Sequence, residues 1–408
     1  METEILLPFH NDHNVYILGA GFSYEAGYPL VRNFMDRMKE AASWQKDHFQ
    51  ETKEIEAVLK FRFEAAAAAY RIQFDPENIE DLFSLSVAKG GSDGTTNRNV
   101  IIAIAETLEY CRNTNIDKNV IFRGVPNPPP KGFSLDNKEN PSNIIMDRFK
   151  FYIGIMTGIW GKTPYKDNTF ITFNYDLLLE EALKEWTIPF RYDGLHGYEI
   201  PGLSNFDDSA RSIQENEEEE NVVSILKLHG SVNWALTGLP PNSLIKKYIG
   251  IKGVVKVYGD FIKKEMLGSQ QALLLAPPVW DKGIAKVGHP LAGVWSNAVK
   301  KLQTATRIIV IGYSLPFADA HFRYLMASGL QNNISLREII FVNPGFQEGE
   351  ADKEVLEERV FSVFKRDLQK KGILKLLPLR THEFFLPNIA KGINTEEILG
   401  RKYPLSFH

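Results

Sequence analysis

Five short stretches carry the residue types from which a site for a polar ligand is made. The first, GAGFS at 19–23, sets two glycines one residue apart ahead of a serine. Glycines let a backbone approach a ligand closely, the start of a following helix offers unpaired amides and a positive dipole end, and Ser23 adds a hydroxyl. That is chemistry for holding a phosphate. The second stretch, TFNYD at 172–176, supplies Asn174, which can hold a water or a sugar hydroxyl without titrating, and Asp176, which is also what a helix N-cap requires. The third, KLHGS at 227–231, delivers His229. An imidazole with an unperturbed pKa of about 6.5 is mostly neutral and basic near pH 7, although a histidine also suits a satisfied core position. The fourth and fifth, GYS at 312–314 and VN at 342–343, bring Gly312, Ser314 and Asn343, residues that equally serve turn chemistry.

The elements around these stretches explain why they belong together. Apolar runs predict strands over 15–19, 169–173, 222–228, 307–314 and 337–344, each ending on one of the five motifs. Helices are predicted over 29–39, 176–186, 294–303 and 319–328, with Gly329 placed to stop the last. Strand and helix therefore alternate, which implies a mostly parallel, Rossmann-like α/β sheet whose five strand ends face one crevice. From 41 to 160 the pattern is mostly helical and reads as an insertion between two strands, broken by turn-rich segments at 89–99 and 124–142. The acidic segment 204–221 reads as a solvated loop, and SLIKKYIGIKGVVKVYGDF (243–261) as a short β excursion. The last 65 or so residues read as two or three helices with THEFFL as an edge strand, too little for a sensor domain of its own. The expected division is a core of 1–40 with 165–345, a helical insertion of 41–164 and a helical tail of 346–408.

Composition narrows the class. With 408 residues the chain expects about two domains, or one carrying a large insertion. A net charge of -4 gives no general reason to bind nucleic acid directly. No apolar run reaches the length of a membrane helix and the N-terminus lacks a signal pattern, so a cytoplasmic protein is expected. Cys111 is the only cysteine, which excludes an intrachain disulfide and a four-cysteine zinc module; no metal is expected. A dehydrogenase fits poorly, because the third glycine, Gly27, falls six residues after Gly21 and no second strand follows with its acidic residue.

The order of the motifs resembles the sirtuin-like superfamily, which reads Gly-Ala-Gly-x-Ser, Thr-Gln-Asn-x-Asp, His-Gly, Gly-Thr-Ser and a final Ile-Asn strand end. The resemblance spans about 15–343, with the helical insertion where sirtuins place their small domain. It implies that Gly19, Ala20, Gly21 and Ser23 cradle the diphosphate of NAD. It further implies that Asn174 and Asp176 face the nicotinamide ribose and pocket, that His229 is the base beside that ribose, that Gly312 and Ser314 line the phosphate or ribose path, and that Asn343 reaches the adenosine ribose. Sirtuins follow the first turn with Pro-Asp-Phe-Arg; this chain keeps Pro29 and Arg32 but has Leu30 and Val31 between them, which implies a different handling of nicotinamide. Without zinc ligands a protein deacylase is disfavoured. NIEDLF, KLHGSVNW and GYSLPFADAHFRYL resemble instead the bacterial antiphage-defence branch, which implies an NAD hydrolase. A module that senses NAD or ADP-ribose without cleaving it would use the same binding residues. Because an ungated NAD hydrolase would drain its own cell, the resemblance also implies control by assembly: a homo-oligomer, joined by a separately encoded partner such as a HerA-class ATPase.

Overall fold

A computed structural model describes residues 13–385 apart from 49–50, 73, 90–94, 115–140, 158–167, 196–221, 238–254, 269–270, 277–288, 316–319 and 350–351. The acidic segment, the turn-rich segment after 124 and the first part of the β excursion lie outside the described residues.

Five strands of five residues form the centre: β1 (Asn14–Leu18), β2 (Asn168–Thr172), β4 (Val223–Lys227), β8 (Arg307–Ile311) and β9 (Glu338–Val342). Most are rich in Ile, Val, Leu and Phe, and every residue but Glu338 is buried, as in strands covered on both faces. They lie side by side in the order β9-β8-β1-β2-β4, every pair parallel. Two short strands complete a seven-stranded sheet: β3 (Phe190–Tyr192) beside β4, and β10 (Leu374–Leu377) beside β9. Tyr16 stacks on Phe170 across neighbouring strands at 5.4 Å, joining β1 to β2 within the core.

Between β1 and β2 the described parts of the chain are mostly helical: α1 (Ala20–Tyr24), α2 (Phe34–Asp47), α3 (Lys53–Ala69), α4 (Ile79–Lys89), α5 (Thr95–Thr114) and α6 (Pro141–Thr157). The helix expected over 29–39 starts later and runs further, as a one-turn helix at Val31–Asn33 leading into α2; a short helix that was not expected, α1, follows the glycine turn at once and is set apart from them by Gly27 at φ 88° and Pro29. Helix α7 (Leu178–Glu185) follows β2.

Beyond β4 the chain enters a second, antiparallel sheet of order β6-β5-β7, made of β5 (Gly230–Leu236), β6 (Val255–Val257) and β7 (Ala272–Leu275). His229 therefore stands at the junction of the two sheets, where the expected single strand end opens into a further strand. Helices α8 (Ala292–Thr304) and α9 (Ala320–Leu330) flank β8. Gly329 lies inside α9 and does not stop it; a Cβ there would meet the Leu302 side chain of α8 at 2.4 Å, so the glycine serves close helix packing. The C-terminal part holds α10 (Lys353–Val363), α11 (Arg366–Lys370) and α12 (Thr381–Phe385), together with β10. THEFF is thus a helix; the edge strand is Leu374–Leu377, seven residues earlier.

The helices are tied to the second sheet by charge. Lys264, on a one-turn helix between β6 and β7, donates to Glu54 of α3 at 2.8 Å and lies 3.6 Å from Glu106 of α5. Burial pushes the Glu106 carboxyl up to about 7, against the opposing pull of Lys264 and with a further push from Glu54. A carboxyl that is harder to ionise folded than unfolded contributes stability at low pH and loses it as pH rises from its unfolded value, about 4.5, to its folded value. Glu106→Gln should therefore stabilise the protein at pH 8 by about 1–2 kcal/mol and add nothing at pH 4.5. Urea unfolding at the two pH values checks this; a variant less stable than wild type at pH 8 would contradict it.

Candidate functional site

The parallel register aligns the carboxyl ends of five strands. Leu18 pairs with Thr172 and with Ile311, Thr172 with Lys227, and Ile311 with Val342, so one row runs across the sheet. The residues just past that row are Gly19, Asn174, His229, Gly312 and Asn343. In an open parallel sheet this edge is where ligands bind.

The glycine turn between β1 and α1 lies flat against the end of β8. Gly19 N–H donates to the Ile311 carbonyl at 3.0 Å and Gly21 N–H to the Gly312 carbonyl at 2.8 Å. Added Cβ atoms would stand 2.6 Å from Tyr313 Cα at position 19 and 2.7 Å from Gly312 Cα at position 21. Gly312 itself has φ 65°, and a Cβ there would reach 2.2 Å from Phe22 N. All three glycines are thus required by backbone packed on backbone. The expected cradle is correspondingly narrower: the amides of Gly19 and Gly21 are engaged inside the fold, and Ala20, half-buried, holds the first position of α1, where amides have no intrahelical acceptor.

Asn174 locks this turn to β2. Its backbone amide donates to Thr172 Oγ1 at 3.0 Å, while Nδ2 donates to the Gly19 carbonyl at 2.9 Å and to Ser23 Oγ at 3.0 Å. With both Nδ2 hydrogens directed at the turn, Oδ1 is the acceptor available to a ligand. Buried Ser23 passes its own hydrogen to buried Asp176, whose Oδ1 also accepts the Leu178 amide at 3.1 Å and so caps the start of α7. Burial raises the Asp176 carboxyl above its ordinary range; Lys227 and these hydrogen bonds oppose the rise. Asp176, one residue before the N-cap Leu177, therefore holds the first amide of α7 and is a member of the site's bonded network.

His229 is buried between residues that flank Asn174. Its ring meets Phe173 edge-on at 5.2 Å and Tyr175 at 6.2 Å, and its carbonyl accepts the Ala276 amide at 2.8 Å. Phe173 in turn stacks on Tyr313 at 4.6 Å and 6°. Rings just past the ends of β2 and β8 thereby hold the imidazole in a corner of the strand-end row that also carries Asn174. Gly230, at φ 82°, turns the chain into β5 with its Cα so near the Leu274 carbonyl that a Cβ would fall 1.9 Å from that oxygen.

The remaining expected residues lie further out. Asn343 Oδ1 accepts the Gly345 amide at 2.9 Å and caps the turn Pro344–Phe346, which is turn chemistry. Ser314 is exposed, its carbonyl accepting from Arg359 at 3.3 Å, and is followed by Leu315 at φ 49°, a strained value for a leucine. Arg32 is exposed on the one-turn helix before α2. The structure thus joins Gly19, Ser23, Asn174 and Asp176 by direct bonds and brings His229 beside them through Phe173 and Tyr175. Sequence reasoning missed Lys227, whose signal was a lysine among apolar neighbours in SILKL; a strand buried on both faces admits a charge only with a partner.

The chain is similar to solved sirtuin structures, though distantly. A Sir2 homologue in complex with NAD is 16% identical, covering 88% of this chain and 90% of that one, with a TM-score of 0.32. A mutant Sir2 homologue in complex with 2'-O-acetyl ADP ribose is 14% identical, covering 97% and 94%, with a TM-score of 0.36. A mutant in complex with ADP ribose is 16% identical, covering 87% and 93%, at 0.32. No curated protein matches the chain. From the first residue of β2 to the last of α10, residues 168–363, the chain matches the family model described as the SIR2-like domain.

Proposed function

We propose that this protein is an NAD glycohydrolase that cleaves NAD to nicotinamide and ADP-ribose. The observation that carries the reading is the corner formed by Asn174 and His229, set beside the glycine turn at the aligned strand ends, in a chain whose 168–363 match the SIR2-like domain. Every residue of that corner except the glycine turn falls within the matched stretch.

The chemistry asked of these residues is modest. As the bond from ribose C1' to the nicotinamide nitrogen breaks, its electron pair leaves with nicotinamide and positive charge grows on the ribose ring. Water attacks C1', and its proton passes to His229, leaving ADP-ribose. Asn174 Oδ1 accepts a hydrogen bond from the attacking water or a ribose hydroxyl and fixes its position. Ala20 at the start of α1 and the adjoining turn hold the diphosphate. Arg32, Gly312, Ser314 and Asn343 line the path along which the rest of the ligand lies.

Asn174→Ala tests the assignment. Nicotinamide release should fall by about 10²-fold, with NAD affinity, measured by calorimetry, weakened far less. Equal cleavage by variant and wild type would remove Asn174 from the site. NAD that binds wild type and is never cleaved would replace hydrolysis with sensing.

The proposal extends to setting. Depletion of NAD as the effector step of bacterial antiphage defence fits the motifs around Asn78, His229 and Ser314, and regulation by a homo-oligomer with a HerA-class ATPase fits an enzyme that must stay silent until needed. Among the described residues no helix is long and apolar enough to cross a membrane. Sedimentation reads the assembly state directly, and a monomer under all conditions would remove that part of the proposal.

A further inference from the structure

Lys227 ends β4 two residues before His229 and is 1% exposed. A lysine in such a place needs partners for its charge and its three hydrogens. It has two: Glu180 Oε1 of α7 at 2.9 Å, and the backbone carbonyl of Asp176. The first is a charge partner and would satisfy a purely structural lysine. The second lies at the start of α7, on the residue whose carboxylate receives the Ser23 hydroxyl. Ser23 Oγ in turn accepts from Asn174 Nδ2, and Asn174 holds the Gly19 carbonyl.

We propose that Lys227 is a positioning residue for Asn174: by holding the Asp176 carbonyl it fixes the chain Asp176–Ser23–Asn174, and so aims Asn174 Oδ1 at the crevice and pins the glycine turn. Its consequence for catalysis rests on the NAD hydrolase reading; its consequence for the turn does not. The four residues come from β4, the loop after β2, and α1, elements 51 and 151 residues apart along the chain at their bonds. One side chain therefore sets the geometry of three segments at once. A residue acting in this way changes turnover more than ligand binding, because a reacting group displaced by about 1 Å costs on the order of 10²-fold in rate.

Lys227→Met alone would strand the Glu180 charge in the core and risk unfolding the protein. The double variant Lys227→Met/Glu180→Gln removes both charges together and is the informative form, with Glu180→Gln alone as the control that keeps the bond to Asp176. Full-length protein is compared by nicotinamide release, NAD calorimetry, thermal melting and hydrogen exchange of 15–25. The double variant should stay folded, lose about 10–100-fold in turnover with NAD affinity within about threefold, and exchange its turn amides about tenfold faster. The control should match wild type per folded molecule in both turnover and exchange. A double variant with wild-type turn exchange, or with wild-type turnover, would overturn the proposal, as would a control that loses as much as the double. Should wild type release no nicotinamide, the hydrolase reading falls, and the exchange of the turn still decides the role of Lys227.

Discussion

Replacing His229 with alanine should lower nicotinamide release from NAD by about 10²–10⁴-fold, the range lost when a positioned acid–base group is removed. The variant should still bind NAD, because the glycine turn, Ser23 and Asn174 are bonded to one another and to β8 without involving the imidazole. The ring does pack against Phe173 and Tyr175, so some stability goes with it. Circular dichroism separates that loss from chemistry: a folded variant that binds NAD and does not cleave it is the expected result. A folded variant that cleaves at the wild-type rate would show that the base is elsewhere.

Gly312→Ala should be strongly destabilising, because its Cβ would enter the contact between the glycine turn and the end of β8. Two costs combine at this residue. A left-handed φ of 65° is worth about 1–2 kcal/mol to any residue with a Cβ, and the new atom would lie 2.2 Å from Phe22 N and 2.4 Å from Gly21 C, both backbone. Backbone cannot step aside as a flexible side chain can, so either the glycine turn lifts away from β8 or the end of β8 shifts. A total loss of about 3 kcal/mol or more is expected, seen as a lower melting temperature or as insoluble protein. Gly372→Ala is the matched control: φ is 72° and nothing lies within 4 Å of the added Cβ, so only the backbone cost of about 1 kcal/mol applies. If the two variants melt together, the close packing of the turn on β8 is not what demands the glycine.

The parts of this site that were legible in the sequence share one physical property. Each of the five central strands is a short buried stretch with an apolar centre that gives way within two residues to Gly, Asn or His, the pattern expected of strands covered on both faces. Alternation with helices then forces the strands parallel and their ends to one edge. The strands that escaped notice are short and lie at the sheet's rims. Phe190–Tyr192 spans three residues and Leu374–Leu377 four, too few to establish a period, and Leu376 and Leu377 are only partly buried. Gly230–Leu236 was hidden differently, since only Leu228 and His229 separate it from β4 and no compositional break marks the crossing between sheets.

Within the site, the residue types were legible and the bonding was not. GAGFS announces a backbone brought close to something. That the something is β8, through Ile311 and Gly312, depends on a contact nearly 300 residues away. Asn343 is a polar residue at a strand end by sequence and the cap of its own next turn by structure, which is the local competition that Asn side chains generally enter. Lys227 shows the reverse case. A charge in an apolar strand points to a partner, but only the fold reveals that its partners, Glu180 and the Asp176 carbonyl, connect it to Asn174.

On the proposed hydrolase reading, Asn174 and His229 break NAD and do not merely bind it. The most direct measurement incubates the full-length protein, in its assembled state, with NAD and resolves the products by chromatography over time. NAD should disappear while nicotinamide and ADP-ribose appear in equal amounts, and His229→Ala should slow both by about 10²–10⁴-fold. NAD that binds saturably and remains intact in the presence of the assembled wild-type protein would contradict it.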